Sequence, residues 1–356
     1  MNNFFSKKFK IGSKIVGDNY KSLVIAEISA NHNNKLSIFK KLVKAAKDNG
    51  ADLIKIQTYT ANTITINSQK KDFIIDKKNP WGKKKYLWNL YKKAQTPIEL
   101  TSEIFEYSKK IGVEIFSAPF DLEAVNILEK LKCPAYKIAS AEINHIPLIE
   151  KVASTKKPII LSLGLASHRD IKLALETIRK KGNNKVILLQ CVSSYPAPIN
   201  EQNLRSIPKI MKQFKTLTGL SDHTRGYIAP VVAVSLGAKI IEKHFNLLKN
   251  KSVDSFFSTD ENEFRIMINN IRLAEASLGT GKIEISKSSM SNFNSRRSIY
   301  VSKNISKGDI INDHNIKIVR PNYGLHPKFY KHVLNKKSNT NLKTGDRFKL
   351  EYVKKR

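Results

Sequence analysis

The sequence is short of cysteine, of long apolar runs and of acidic residues. Its two cysteines, Cys133 and Cys191, match neither a disulfide framework nor a zinc motif. No stretch approaches the roughly 18 apolar residues of a membrane span, and the basic start at residues 1–10 is not followed by an apolar run of signal-peptide length. We therefore expect a cytoplasmic protein with reduced cysteines and no membrane partner.

The shortage of acidic residues leaves a large positive charge. The chain has 63 lysines and arginines against 30 aspartates and glutamates, a formal net charge of +33. A nucleic-acid site needs basic residues clustered on one face, preferably with arginine and interleaved aromatics. Here the excess is mainly lysine and is scattered along the sequence. We expect no nucleic-acid partner, but a positive field that attracts anionic substrates.

Short apolar runs alternate with amphipathic segments along most of the chain. The runs are nearly continuous in Ile, Leu and Val, which is typical of strands in a parallel sheet covered on both faces. They are Leu23–Ser29, Leu53–Tyr59, Glu114–Phe120, Ala135–Ser140, Pro158–Gly164, Lys185–Ser193, Thr216–His223 and Ala238–Phe245. The alternation predicts an α/β fold, a closed (β/α)₈ TIM barrel, with a doubly wound sheet as the alternative.

The pattern changes near residue 285 and predicts a second domain. We place the barrel at residues 1–285, a Ser/Lys/Asn-rich linker at 286–294 and a small β-rich domain at 295–356. The strand-like pieces of the last region are Ser298–Val301, Ile316–Val319 and Arg347–Tyr352. Within the barrel, the long connection at residues 60–97 carries both tryptophans and is predicted to be a lid or substrate collar.

Polar side chains stand at the C-terminal ends of most predicted strands, where barrels of this type carry their functional residues. Buried polar groups in such number need partners or ligands. Those we single out are Glu27, Lys55, Gln57, Tyr59, Ser117, Lys137, Ser140, Glu142, Ser193, Tyr195, Ser221, His223 and His244. Because side chains alternate along a strand, Glu242 and His244 share one face of the eighth strand.

Two lysines inside the predicted barrel mouth suit an anionic ligand, a carboxylate or a phosphate, held by Lys55 and Lys137. The residues alone leave two alternatives open. Lys55 could form a structural ion pair with Glu27, or a barrel lysine could form a Schiff base with a ketone, as in an aldolase. Cys191 is predicted to be a core residue rather than a nucleophile.

His223 and His244 end two neighbouring predicted strands, so their imidazoles could share a metal ion. Two imidazoles completed by oxygen ligands suit Mn²⁺, with Mg²⁺ and Co²⁺ as further candidates. The alternative is that both histidines are structural. The residues alone do not decide between these two roles.

Several motifs, in chain order, resemble the sialic acid synthase family. They are residues 25–33 (IAEISANHN), 54–59 (IKIQTY), 136–140 (YKIAS), 194–198 (SYPAP), 219–223 (GLSDH) and 241–245 (IEKHF). Residues 297–300 (RSIY) and 319–321 (VRP) resemble the antifreeze-like domain, a β-clip fold also called SAF, that follows the barrel in this family. The resemblance covers about residues 20 to 350 and implies that this chain condenses phosphoenolpyruvate with an amino sugar.

Within that family, three stretches resemble the pseudaminic acid synthase branch, whose sugar is 2,4-diacetamido-2,4,6-trideoxy-altrose. They are residues 90–97 (LYKKAQTP), 253–258 (VDSFFS) and 321–327 (PNYGLHP). Gln190 and Asn322 depart from the usual pattern. The alternatives are an N-acetylneuraminate or legionaminate synthase, a phosphoenolpyruvate-condensing barrel that uses a sugar phosphate, and a carbohydrate- or ice-binding relative without catalysis.

The resemblance also implies roles for individual residues. Catalysis is assigned to Glu27, Lys55, Lys137, His223 and His244, with the metal on the two histidines. Substrate binding is assigned to Gln57, Tyr59, Ser117, Ser140, Glu142, Ser193, Tyr195, Ser221, Asp254 and Arg320. The resemblance further implies a homodimer in which the antifreeze-like domain covers the barrel of the neighbouring subunit and brings Arg320 to the sugar.

Overall fold

A computed structural model of the chain describes residues 4–76, 79–82 and 86–353. The chain divides into two compact units, Met1–Gly279 and Thr280–Arg356. Each unit has its own hydrophobic core.

The first unit is built on a closed barrel of parallel strands. The barrel strands are β3 (Leu23–Glu27), β4 (Leu53–Thr58), β5 (Glu114–Pro119), β6 (Tyr136–Ile138), β7 (Ile159–Ser162), β8 (Val186–Cys191), β9 (Leu217–Asp222) and β10 (Ile240–His244). Neighbours in the sequence are neighbours in the barrel, and β10 pairs with β3 from Ile240↔Leu23 to His244↔Glu27. This last pairing closes the sheet, so the barrel prediction is confirmed and the doubly wound alternative is wrong.

Helices cover the outside of the barrel or lie in the connections between its strands. They are α1 (Leu36–Asp48), α2 (Ala61–Ile64), α3 (Leu87–Ala94), α4 (Ile98–Ile111), α5 (Leu122–Lys130), α6 (Ile146–Ser154), α7 (His168–Lys180), α8 (Ser206–Phe214), α9 (Ile228–Ser235) and α10 (Glu261–Ser277). Of these, α2 and α3 lie in the connection between β4 and β5. Polar side chains fix several starts: Asp121 caps α5, and Ser167 forms a capping box with Asp170 at α7. In the described part of the chain, no helix is long and apolar enough to cross a membrane.

A hairpin precedes the barrel and was not predicted from the sequence. Its strands are β1 (Lys8–Ile11) and β2 (Lys14–Gly17), which pair antiparallel around a turn at Gly12 and Ser13. Gly12 has φ +58°, a value that favours glycine. Ile11 and Val16 are fully buried in the barrel core, so the hairpin extends the core of the first unit.

The long connection at residues 60–97 forms α2, a short 3₁₀ helix at Lys71–Phe73, and α3. Residues 77–78 and 83–85 of this connection lie outside the described residues. The indole Nε1 of Trp81 donates to Asp254, whereas that of Trp88 donates to Asn62. Whether the connection acts as a lid stays a prediction.

The second unit contains the two-stranded antiparallel sheet of β11 (Ser298–Val301) and β12 (Ile316–Val319), with the short helices α11 (Lys287–Met290) and α12 (Tyr330–Val333). Its core includes Ile299, Ile316 and Phe348. The first two predicted strands are found at the predicted positions. The third, Arg347–Tyr352, is wrong: Arg347 makes a single bridge to Tyr300, and Leu350–Tyr352 is a 3₁₀ helix.

Candidate active site

The C-terminal ends of the barrel strands hold a buried cluster of lysines and carboxylates. The Lys55 Nζ lies 2.9 Å from Glu27 Oε2 and 3.0 Å from Glu242 Oε1. The Lys137 Nζ lies 3.8 Å from the same Glu242 Oε1. Strand register accounts for this geometry, because β10, β3 and β4 pair so that His244, Glu27 and Lys55 stand side by side. The ion pair of Lys55 with Glu27, one of the sequence alternatives, is therefore present.

Charge is distributed unequally over this cluster. Burial lowers the pKa of Lys55, but Glu242 and Glu27 outweigh burial and raise it to about 12. Burial raises the pKa of Glu27, and Lys55 offsets only part of that rise. Burial also acts to raise the pKa of Glu242, but Lys137 and Lys55 outweigh it and lower that pKa. Lys55 is thus held as a cation between its two carboxylates.

Lys137 is less well paired than Lys55. Its Nζ donates to the carbonyl oxygen of Ile138 at 3.3 Å, and it shares Glu242 Oε1 with Lys55. Burial is the main cause that lowers the pKa of Lys137, to about 8, and the charge of Lys55 acts in the same direction. A buried ammonium whose charge is only partly balanced by nearby carboxylates is stabilised when an anion binds beside it.

Two serine hydroxyls and a thiol pack closely around Gly164, just after β7, and we call these surroundings the Gly164 pocket. A Cβ placed on Gly164 would lie 2.4 Å from Ser193 Oγ, 2.9 Å from Ser140 Oγ and 3.1 Å from Cys191 Sγ. The Gly164 N–H donates to Ser140 Oγ at 2.9 Å. Two hydroxyl groups from different strand ends therefore approach the Gly164 backbone so closely that any larger residue would displace them. Cys191 is buried beside them, as its prediction as a core residue requires.

His223 and His244 face each other at the same end of the barrel. Their ring centroids are 5.4 Å apart. The Nδ1 of His223 donates to the carbonyl oxygen of Val192 at 2.8 Å, which fixes the ring and leaves Nε2 for a ligand. The Nδ1 of His244 is buried without a hydrogen-bond partner among the described residues. Burial is the main cause that lowers the pKa of His244, and the charge of Lys55 acts in the same direction, so this imidazole is neutral.

These two imidazoles fit the donor set of a shared divalent metal, because one ring is anchored by a backbone carbonyl and the other has an unused buried nitrogen. The described residues include no group of three or more His, Cys, Asp or Glu side chains placed to hold an ion. An ion on the two histidines would therefore take its other ligands from water or substrate, as catalytic metals commonly do.

A second polar network joins β3 to the loop after β10. The Asp254 side chain is buried and accepts from Ser29 Oγ at 2.5 Å and from the Ala30 N–H at 3.3 Å. Gln57 Nε2 donates to Glu27 Oε1 at 2.9 Å and to Ser29 Oγ at 3.2 Å. Ser29 has φ +48°, which a residue with a side chain rarely adopts, and this backbone conformation lies within the network. The network connects Asp254 to the carboxylate cluster through Gln57.

The remaining predicted residues lie at different distances from the cluster. Ser221 Oγ donates to Glu242 Oε1 at 3.3 Å, and the Tyr195 ring lies 4.2 Å from that of His223 between ring centroids. Tyr59 is buried and packs edge-on against Tyr91 and Phe120. The site roles of these three residues stay predictions.

Three predicted residues are not brought to the cluster by any described contact. The Ser117 hydroxyl is used inside the barrel wall, where it bonds to the Ile56 carbonyl oxygen at 3.2 Å and to Thr58 Oγ1 at 2.7 Å. Glu142 is half-buried, and burial raises the pKa of its carboxyl. Arg320 is exposed on the second unit, directly after β12.

Sequence reasoning did not select Glu242, Gly164 or Ser29 as site residues. Glu242 carried a usable signal, since it shares a strand face with His244. The adjacent Lys243 faces the other side of β10, where its Nζ binds Asp222 Oδ2 at 2.6 Å and the carbonyl of Thr224. Gly164 carried no signal of its own, because its role depends on two serines from other strand ends.

Comparison with known proteins agrees with this architecture. Residues 42–283 match the NeuB family, and residues 296–349 match the SAF domain. The chain belongs to the NeuB family. This is the family of sialic acid synthases, so the resemblance read from the motifs is confirmed, together with the antifreeze-like domain.

Individual relatives of this NeuB-family chain are similar over most of their length. The pseudaminic acid synthase of Campylobacter jejuni is 45% identical, covering 92% of this chain and 96% of its own. The pseudaminic acid synthase of Helicobacter pylori is 44% identical, covering 90% and 95%. The crystal structure of N-acetylneuraminic acid synthetase from Leptospira borgpetersenii is similar at a TM-score of 0.71 and 30% identity, over 81% of this chain and 95% of that one.

The Gly164 pocket generates a direct prediction. Gly164→Ala is expected to raise the KM for phosphoenolpyruvate at least about tenfold, because the added methyl group would displace the two serine hydroxyls that are predicted to bind the substrate. The φ of Gly164 is outside the left-handed region, so alanine adds no backbone strain there. Steady-state kinetics with phosphoenolpyruvate varied would measure the change.

The matched control is Gly112→Ala. Gly112 has φ +71° and open space around its Cβ position, so alanine there costs stability and leaves the site untouched. Thermal unfolding of both variants separates the two effects. An unchanged KM for phosphoenolpyruvate in a folded Gly164→Ala protein would show that the pocket is not the anion site.

Proposed function

We propose that this chain is a pseudaminic acid synthase. It condenses phosphoenolpyruvate with 2,4-diacetamido-2,4,6-trideoxy-altrose and water, and it releases pseudaminic acid and phosphate. The observation that carries the proposal is the anion pocket at Gly164 and Lys137, set in the same barrel mouth as two facing histidines. The similarity to two pseudaminic acid synthases over about nine-tenths of the chain supports this choice of sugar.

Phosphoenolpyruvate carries two anionic groups, and the site offers matching donors. The phosphate would be held by Lys137, Ser140 and Ser193, beside Gly164. Hydrogen bonds from an ammonium and from hydroxyl groups to a charged phosphate are strong in a buried site. Lys55 and Ser221 would face the carboxylate group. The binding of two anionic groups fixes the orientation of the enol carbon that must attack the sugar.

His223 and His244 would hold a divalent metal, Mn²⁺ in our proposal, with Mg²⁺ and Co²⁺ as alternatives. When bound, the ion would supply Lewis-acid polarisation of the aldehyde oxygen of the open-chain sugar. The anchored Nδ1 of His223 and the unpartnered Nδ1 of His244 support this assignment. The neutral state of His244 also suits it for a metal, because a protonated imidazole has no lone pair to donate.

Glu27 is suited to move a proton in this reaction. Burial raises the pKa of its carboxyl above the usual range, so proton uptake at Glu27 costs less than at an exposed carboxylate. Its Oε1 accepts from Gln57 and its Oε2 faces Lys55, which hold the carboxyl group in one orientation. Water adds to the carbon that becomes C2 of the product, and Glu27 would take the proton that this water releases.

The sugar would be held by the polar network around Asp254 and by Tyr195, with Gln57, Tyr59, Ser117 and Glu142 as further predicted contacts. Asp254 offers carboxylate oxygens from the loop after β10, where the network reaches the barrel mouth.

The Schiff-base alternative is disfavoured for Lys55, because a lysine held between two carboxylates with a pKa of about 12 is not a nucleophilic amine. A neuraminate or legionaminate synthase is the remaining alternative within the family.

A coupled phosphate-release assay tests the proposed function. The protein is incubated with phosphoenolpyruvate and one of three sugars: 2,4-diacetamido-2,4,6-trideoxy-altrose, its legionaminate-series isomer or N-acetylmannosamine. We expect fast phosphate release and pseudaminic acid, by mass spectrometry and NMR, with the first sugar only. Removal of divalent metal with a chelator is expected to stop turnover and added Mn²⁺ to restore it, because the aldehyde is then no longer polarised.

Turnover of N-acetylmannosamine alone would contradict the proposed sugar. Full activity of His244→Ala after chelation would contradict the metal role. Circular dichroism of that variant serves as the control for an intact barrel.

We also propose that the cytoplasmic enzyme is a homodimer whose active sites combine the barrel of one subunit with the SAF domain of the other. Arg320 is exposed on the second unit, so its side chain is available to contact a substrate or another subunit. Its guanidinium would bind oxygen atoms of the sugar or its product. A closed dimer would contain two such composite sites.

Mixing inactive variants tests the composite site. Lys137→Met and Arg320→Ala proteins are each expected to be nearly inactive. Unfolded together and refolded at equal amounts, they should recover about a quarter of wild-type activity, because half of the dimers are mixed and each mixed dimer has one intact site. Activity of the mixture no higher than that of the separate variants would exclude sharing between subunits.

A further inference from the structure

Trp81 lies at the barrel mouth and has no part in the reaction described above. It comes from the long connection at residues 60–97, yet its indole Nε1 donates to Asp254 Oδ1 at 3.2 Å. The other carboxylate oxygen of Asp254 accepts from Ser29 and the Ala30 N–H. The hydrogen bond to Asp254 therefore orients the indole ring against the predicted sugar site.

The ring of Trp81 is part of an aromatic wall, defined here as Trp81, Tyr195, Phe256 and Phe257. The Trp81 ring centroid lies 5.3 Å from that of Tyr195, 5.5 Å from Phe256 and 6.0 Å from Phe257. These distances are typical of edge-on aromatic packing. The wall is continuous from the long connection to the loop that follows β10.

The aromatic wall reaches the two histidines. The Phe257 ring lies 4.7 Å from that of His244, and the Tyr195 ring lies 4.2 Å from that of His223. Phe257 is buried, whereas Phe256 is 37% exposed. A sugar whose aldehyde is placed at the histidines would therefore have this apolar surface along one side.

The substrate of the proposed function matches such a surface. A 2,4-diacetamido-2,4,6-trideoxy sugar carries a methyl group at C6 and a methyl group on each acetamido substituent. Methyl groups gain free energy when they pack on aromatic rings, whereas a hydroxyl group placed there loses its water partners. A sugar with a hydroxyl group at C6 fits this wall less well.

We infer that Trp81 is a specificity-determining residue that receives methyl substituents of the sugar, and that it selects a 6-deoxy substrate over its 6-hydroxy counterpart. This inference rests on the proposed function. Trp81 acts through the aromatic wall, and the hydrogen bond to Asp254 holds its ring in place. The selection operates on the sugar and leaves phosphoenolpyruvate unaffected.

Trp88 provides a matched control in the same connection. It belongs to α3, and its indole Nε1 donates to Asn62 Oδ1 at 2.7 Å instead of to Asp254. No ring contact joins Trp88 to the aromatic wall among the described residues. Substitution of Trp88 therefore changes the connection without changing the wall.

The test compares kcat/KM for 2,4-diacetamido-2,4,6-trideoxy-altrose and for the same sugar with a hydroxyl group at C6. Wild-type protein is expected to prefer the 6-deoxy sugar by about 10- to 200-fold, and Trp81→Ala to reduce this preference to about threefold or less. The change should lie in the KM for the sugar, with the KM for phosphoenolpyruvate constant. Trp81→Phe and Trp88→Ala should keep the preference, because the first retains an apolar ring and the second leaves the wall intact.

Fluorescence gives a second measurement that does not need a Trp81 variant to fold. The chain has two tryptophans, so in Trp88→Phe the emission comes from Trp81 alone. Metal-free Trp88→Phe protein with phosphoenolpyruvate should show a change in Trp81 emission when the 6-deoxy sugar is added. An emission unchanged by saturating sugar would overturn the inference.

The kinetic results distinguish an error about Trp81 from an error about the proposed function. If Trp81→Ala lowers kcat/KM for both sugars by the same factor, Trp81 is structural and the wild-type reaction still stands. If the wild-type protein turns over neither sugar, the proposed function itself is wrong.

Discussion

The structure of the site depends on one buried lysine held between two carboxylates. Lys55 lies within 3.0 Å of both Glu27 and Glu242, and all three side chains are buried. Removing such charges from water is costly, and only mutual pairing makes their burial tolerable. Because Lys55 lies closest to both carboxylates, the nearest carboxylate oxygen to the Lys137 Nζ is Glu242 Oε1 at 3.8 Å. The two lysines and the two carboxylates balance in formal charge, but Lys137 is the less closely paired lysine and is the one that a bound anion would stabilise.

The uneven pairing of the two lysines relates the parts of the site to one another. Burial lowers the pKa of Lys137 to about 8, and burial is also the main cause that lowers the pKa of His244. The serine hydroxyls packed against Gly164 are the donors that the proposed function assigns to the phosphate. The closed barrel holds the lysines, the serines and the two histidines at one end.

Much of this arrangement could be predicted from the sequence, because parallel strands of a barrel end at one face. The order of eight apolar runs identified the fold. Five of these runs contain or end in the polar residues Glu27, Lys55, Lys137, His223 and His244, which were therefore predicted to be neighbours. Alternation also placed Glu242 beside His244. The fold class and the family are confirmed, whereas the roles of the site residues stay predictions.

Other features could not be predicted, for physical reasons that differ. Gly164 lies against serines from other strand ends, and this proximity leaves no local pattern in the sequence. Trp81 reaches Asp254 from a long connection without periodicity. The hairpin β1–β2 had a usable signal in the alternation around Gly12, whereas residues 347–352 look like a strand but their second half, Leu350–Tyr352, forms a 3₁₀ helix.

Crystallography of the protein with phosphoenolpyruvate bound tests the central claim most directly. The account predicts phosphate oxygens within about 3 Å of Lys137 Nζ, Ser140 Oγ and Ser193 Oγ. A phosphate bound elsewhere, with the Gly164 pocket filled by water, would contradict it.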